Sequence, residues 1–110
     1  MPAITYTNAD LGKPKRITLS ATPGNVRLVN CPINARNWTI TTGTNYAQWK
    51  NGEGVSDNTA IGSDYDTVIA SSKVAFPLPG TRGGVTRNLN TPKLAIAGEA
   101  GGQIVEIVFY

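Results

Sequence analysis

Twelve glycines and seven prolines punctuate this chain at short intervals, which favours turns and short strands over an amphipathic helix. Such a helix needs apolar side chains at i, i+3, i+4 and i+7 over about three turns, and no window of the sequence supplies that pattern. The one stretch of helical length near the centre, Ala47 to Gly54, is too rich in Asn and Gly to hold a helix. The intervals instead contain short runs dense in Val, Ile, Thr and aromatic residues, bounded by turn formers. The expectation is an all-β chain: a single small β-sandwich, or a Greek-key or jelly-roll-like barrel, with little or no helix. A chain of 110 residues encloses one modest core, so residues 1–110 form one domain. Residues 1–15 are expected as an N-terminal arm or edge strand and 16–110 as the sandwich body.

Ile17-Thr18-Leu19-Ser20 alternates, Thr22-Pro23-Gly24-Asn25 supplies a turn, and Val26 to Asn30 follows; together these predict a hairpin. Trp38-Thr39-Ile40-Thr41 alternates again, with Tyr46 to Lys50 expected to pair back onto it before the Asn51-Gly52 turn signal. Alternation with Ile40 places Trp38 in the core. Trp49, flanked by Gln48 and Lys50, is left open between core and surface. Glu53 to Ser63 reads as a long polar surface loop, above the usual length and therefore a functional suspect. Thr67 to Ala70 and Lys73 to Leu78 are further strands, with Pro77 and Pro79 marking an edge. Gly80 to Gly84 is a connection, Thr91-Pro92 a strand entry and Leu94 to Ile96 a short strand. Gln103 to Tyr110 is the strongest β signal, apolar on both faces, which implies cover on both sides or contact with another molecule.

The same sequence is poor in reactive chemistry. It has no histidine, which removes the commonest general base, the commonest metal ligand and every Ser-His or Cys-His arrangement. Cys31 is the single cysteine; it has no partner for an internal disulfide and reads as a buried structural thiol. Only Asp64 and Asp66 among the acidic residues form a close pair, which could offer oxygens to Ca²⁺ with Asp57 or Ser63, yet the loop lacks the glycine and bidentate glutamate of an EF-hand. A solvated turn is the stronger reading. Gly52-Glu53-Gly54 and Gly80 to Gly84 lack the ending of a phosphate-binding loop. The expectation is a protein that is not an enzyme, with no cofactor and no metal.

A net charge of +3 is small and scattered, clustering only at Lys13-Pro14-Lys15-Arg16, so a nucleic-acid partner is not expected. The N-terminus has neither a basic nor an apolar signal-peptide region, and no run approaches the roughly 18 apolar residues of a membrane helix. No membrane association is expected, and synthesis is placed in the cytoplasm. Binding then has to use surface. The candidate partner-binding residues are Ile4 and Tyr6 on the N-terminal segment, Tyr46 and Trp49 as an aromatic platform, and Phe109 and Tyr110 on the closing strand.

The chain combines a Thr-, Asn-, Gly- and Ala-rich composition without histidine with Arg27-Leu28-Val29-Asn30, Trp38-Thr39-Ile40 followed by Gly43, Phe76-Pro77-Leu78-Pro79-Gly80, and the closing strand from Gly101 to Tyr110. In these features residues 16–110 resemble small virion proteins of tailed bacteriophages, notably capsid decoration (cement) proteins. The resemblance implies a structural virion protein, made in the host cytoplasm, that stabilises a shell through multi-copy protein contacts. Its partner would be the major capsid protein or another virion protein, and it would stand as a homo-oligomer or in a lattice, with an unpaired strand edge offering backbone groups to a neighbour. No residue role is carried over. The alternative is a carbohydrate- or receptor-binding β-sandwich module of a phage fibre or tail, binding glycan through Tyr46, Trp49 and the Glu53 to Ser63 loop.

Overall fold

Alternating apolar residues become strands because an extended chain sends successive side chains to opposite faces, so one face can be buried. In a computed structural model, which describes residues 3–78 and 92–110, the strands are β1 (Ile4–Thr5), β2 (Lys15–Thr18), β3 (Val26–Asn30), β4 (Asn37–Thr41), β5 (Ala47–Asn51), β6 (Asp66–Val68), β7 (Lys73–Pro77), β8 (Lys93–Gly98) and β9 (Ile104–Phe109). They form a five-stranded sheet ordered β1-β3-β8-β5-β6 and a four-stranded sheet ordered β2-β9-β4-β7. The fold is all-β, two packed sheets in a sandwich, and a 3-10 turn at Asn8–Asp10 is the helical element among the described residues. The expected Gly80 to Gly84 connection, Pro79 and Thr91 lie outside the described residues.

Two expected hairpins do not form. β2 pairs with β9 in one sheet while β3 pairs with β8 in the other. Likewise β4 pairs with β7 and β9, whereas β5 pairs with β6 and β8. The turns at Thr22–Asn25 and Thr42–Tyr46 are real, but each carries the chain across the sandwich rather than back along a neighbour. For β4 and β5 the physical reason lies in the aromatic residues. Trp38 on β4 and Trp49 on β5 meet edge-to-face across the core, ring centroids 5.1 Å apart at 87°. Side-by-side pairing in one sheet would forgo this contact and leave the opposite layer without its largest side chain.

The main core is filled from one sheet by Val29, Leu94, Ile96, Ala47, Trp49 and Val68, and from the other by Ile17, Trp38, Ile40, Val105, Ile107 and Phe109. Cys31 joins it as a buried free thiol. Pro77 ends β7, which is an edge strand as its prolines implied. The strand buried on both faces is β8: Leu94 and Ile96 face the main core, while Ala95 and Ala97 face outward and are also buried. The closing strand β9 meets its expectation in part, since Val108 is buried on the outer face but Ile104 is exposed there.

What covers the outer face of β8 is the Glu53 to Ser63 segment. Its two apolar residues, Val55 and Ile61, pack with Val26, Leu28, Ala95 and Ala97 in a second cluster. The segment also completes an edge. β1 pairs only with Val29 and Asn30 of β3; over the rest of that edge the Val26 N–H donates to the Thr59 carbonyl (2.8 Å), the Asn58 N–H donates to the Val26 carbonyl (2.8 Å), and the Leu28 N–H donates to Asp57 Oδ1 (2.7 Å). A loop that sequence marks as polar surface is thus a third layer over half of one sheet.

Gly52 starts this layer. A Cβ there would lie 2.8 Å from Leu28 Cδ1 and 3.0 Å from the Leu94 carbonyl carbon, so the chain passes over β8 only because this residue has no side chain. Gly52→Ala should cost about 1–3 kcal/mol by overpacking, read as a lower denaturant midpoint; an unchanged midpoint would mean that the loop does not sit this close.

Candidate functional site

The N-terminal segment folds onto its own body. Tyr6 donates its backbone N–H to the Asn30 carbonyl (2.9 Å) and rests its ring on Phe109 at a centroid distance of 5.6 Å. Ile4 and Tyr6 are half-buried against the main core. The chain then turns through Asn8–Asp10, where Asp10 Oδ2 accepts the Thr7 N–H (2.8 Å) and Oδ1 meets Lys15 Nζ at 3.1 Å. Gly12 N–H to the Phe109 carbonyl (2.7 Å) fixes the arrival at β2. The segment therefore runs from one sheet to the other and closes the core at that side, as an edge strand of its own sandwich.

Of the other candidate residues, Phe109 and Trp49 are corrected: both are buried in the main core, so neither ring can meet a partner. Trp49 additionally packs on Phe76 at 4.8 Å. Tyr46 is half-buried at the opposite end, its N–H donating to Glu99 Oε1 (3.2 Å) and its carbonyl accepting Gln103 Nε2 (3.0 Å). No aromatic platform of Tyr46 with Trp49 exists. Tyr110 alone of the six is well exposed, at 53%.

A second exposed apolar side chain, one the sequence did not single out, is tied to Tyr110 through the backbone. Ile33 is also 53% exposed, and its turn, held by the Ala35 N–H on the Pro32 carbonyl, leads into Arg36 and Asn37, whose N–H groups both donate to the Tyr110 carbonyl at 2.7 and 3.2 Å. The Tyr110 N–H in turn donates to the Asn37 carbonyl (2.9 Å). Two large apolar side chains thus stand at one end of the sandwich on hydrogen-bonded backbone. A signal was present: an isoleucine between Pro32 and Asn34 sits in a turn, where no strand face is available to hide it.

Asp64 and Asp66 line an open depression of about 300 Å³ with Trp49, Lys50, Asn51 and Tyr65. Asp57, considered as a third oxygen donor beside them, is committed elsewhere by its bond to the Leu28 N–H. Among the described residues no three acidic, cysteine or histidine side chains converge as a metal site.

A more enclosed cleft of about 310 Å³ opens where the third layer meets β2 and β3, lined by Thr18 to Thr22, Val26, Arg27, Asp57, Asn58 and Gly102. Asp57 is held there by the Leu28 N–H, with Arg27 Nε 3.9 Å from Oδ1. Ser20 Oγ donates to Asn58 Oδ1 (2.6 Å), and Asn25 Nδ2 donates to the Asn58 carbonyl (3.1 Å). Asn58 adopts a left-handed φ of 59°, a conformation asparagine tolerates better than most residues. The cleft can hold hydrogen bonds; the apolar end can hold a surface.

The N-terminal clamp makes opposite pH predictions for its two ends. Burial, reinforced by Asp10 and opposed by Arg27, raises the Tyr6 hydroxyl above the ordinary phenol range. Its contribution is therefore full below that range and lost as pH rises through the raised value. The Thr7 N–H, then Lys15, lowers the Asp10 carboxyl, whose contribution is full above the ordinary carboxylate range and lost as pH falls through the lowered value. Melting temperature followed against pH should lose part of its alkaline fall in Tyr6→Phe and part of its acid fall in Asp10→Asn; identical profiles in wild type and variants would show that the clamp is not coupled to folding. Compared with known proteins, the chain matches no family model, no curated protein and no solved structure.

Proposed function

We propose that this protein is a structural component of a bacteriophage virion, a capsid decoration protein that stabilises a shell by adding protein contacts in many copies. The observation that carries the proposal is the pair Ile33 and Tyr110, two large apolar side chains each 53% exposed, Tyr110 on backbone held by three hydrogen bonds to Arg36 and Asn37 and Ile33 in a turn held by the Ala35 N–H and the Asn34 N–H. Apolar side chains grouped on one surface mark partner sites where isolated ones do not, and surface already fixed in place loses little entropy when it is covered. Each Å² removed from water contributes about 25 cal/mol before the costs of association, a modest gain that a lattice multiplies.

The sheet edges support contact by this end rather than by strand addition. β1 has two residues and β6 three, β2 carries Lys15 and Arg16, and β7 carries Lys73 and ends at Pro77. Short edges, edge charges and proline are the features that discourage a neighbouring strand from pairing. The partner is a capsid or other virion protein that offers an apolar surface to Ile33 and Tyr110.

Purified protein should bind capsids that lack it and raise their melting temperature. The double variant Ile33→Asp, Tyr110→Asp should keep its own melting temperature and lose at least about tenfold in capsid affinity, the equivalent of about 1.4 kcal/mol. Failure of the wild type to bind any capsid form, or equal binding by the double variant, would overturn the proposal.

A further inference from the structure

The cleft between the third layer and β2 contains a group that the fold leaves incomplete. Asp57 has a side chain only 9% exposed, and while Oδ1 accepts the Leu28 N–H at 2.7 Å, Oδ2 is buried with no hydrogen-bond donor among the described residues. A carboxylate is a pure acceptor with room for several donors, and a buried acceptor left unmet is costly. Folding alone gives this oxygen nothing, yet the residue lines a cleft of about 310 Å³, a volume at the lower end of small-molecule sites, roughly 300–1,000 Å³.

The surroundings indicate what kind of donor fits. Arg27 stands 3.9 Å from the other carboxylate oxygen, so the local charge is already balanced and an added cation would meet a guanidinium. A neutral donor meets no such opposition. The remaining polar side chains of the cleft, Thr18, Ser20, Thr22 and Asn58, are hydroxyls and an amide, set on a floor of buried Leu19 and Val26. Neutral acceptors and donors over an apolar floor suit a ligand that carries several hydroxyl groups on a carbon frame. The rim is rigid on the loop side, because Asn58 is tied to Ser20 Oγ at 2.6 Å and to the Val26 carbonyl at 2.8 Å.

We infer that this cleft is a binding site for a small neutral polyhydroxyl ligand, a sugar or polyol, one of whose hydroxyls donates to Asp57 Oδ2. The inference is independent of the capsid contact, since Ile33 and Tyr110 lie outside the cleft. Of the residues expected to bind glycan, Tyr46, Trp49 and the Glu53 to Ser63 loop, it keeps the loop, through Asp57 and Asn58, and drops the two aromatics.

The test is a ¹H–¹⁵N NMR titration of the whole protein with glucose, N-acetylglucosamine, sorbitol and methylguanidinium. Saturable shifts of the Leu28, Asn58 and Gly102 amides are expected with the neutral probes; glucose against sorbitol separates a ring sugar from an open polyol, and either supports the site. Asp57→Asn, which retains an oxygen for Leu28 but replaces the free acceptor by an NH₂ group, should weaken binding at least about tenfold. Thr22→Trp, a change at an exposed position on the rim, should block binding while the melting temperature is preserved. No saturable shift with any neutral probe, the behaviour of a cleft that holds only water, would overturn the inference. So would preferential binding of methylguanidinium, or unweakened binding by both variants.

Discussion

The edge-to-face contact of Trp38 with Trp49 is the constraint on which the rest of this sandwich depends. Phe76 completes the group, 5.6 Å from Trp38 and 4.8 Å from Trp49, so three strands from both sheets are joined by one aromatic cluster. Aromatic pairs contribute about 0.5–1.5 kcal/mol beyond the area they bury. The cluster has a cost as well, because neither indole N–H has an acceptor. Once β4 and β5 stand on opposite sides of it, the connection between them must cross the sandwich. Polar side chains then secure the crossing: Thr42 Oγ1 donates to the Ile69 carbonyl (2.6 Å) and Gln103 Nε2 to the Tyr46 carbonyl (3.0 Å).

A second constraint is the outer face of β8. Small residues there, Ala95 and Ala97, allow another layer to lie close, and Gly52 allows the chain to enter it. The 53–63 segment then serves both packing and hydrogen bonding, burying Ile61 and covering the part of the β3 edge that the two-residue β1 cannot reach. The Asp57 cleft follows from this arrangement. A loop that bends round a sheet edge to cap it must leave a recess on its inner side, and the capping carboxylate has one oxygen more than the edge requires.

The two proposed binding surfaces are places where the fold has finished its own pairing and still has something over. At one end the leftover is apolar, Ile33 and Tyr110 on locked backbone; in the cleft it is a single carboxylate oxygen. Both stand on hydrogen-bonded backbone, and a surface held in place before binding loses less on contact than one that must be ordered.

Much of this was legible in the residues. Period-two alternation and frequent turn formers determined the all-β class, the inward side of Trp38 and the edge position of the strand ending at Pro77, because these depend on nearest neighbours along the chain; the buried state of Cys31 is read instead from the chemistry the chain lacks, a second cysteine and any histidine. Which strands pair did not follow. A turn signal such as Thr22-Pro23-Gly24-Asn25 is compatible with a hairpin and with a crossing, and at the β4–β5 connection it is the meeting of Trp38 with Trp49 from opposite sheets that goes with the crossing. The same limit hid the interior position of Trp49 and Phe109 and the covering role of Val55 and Ile61. It also hid the orphaned oxygen of Asp57, since local sequence specifies which groups a residue carries, while its neighbours in space decide which of those groups remain unsatisfied.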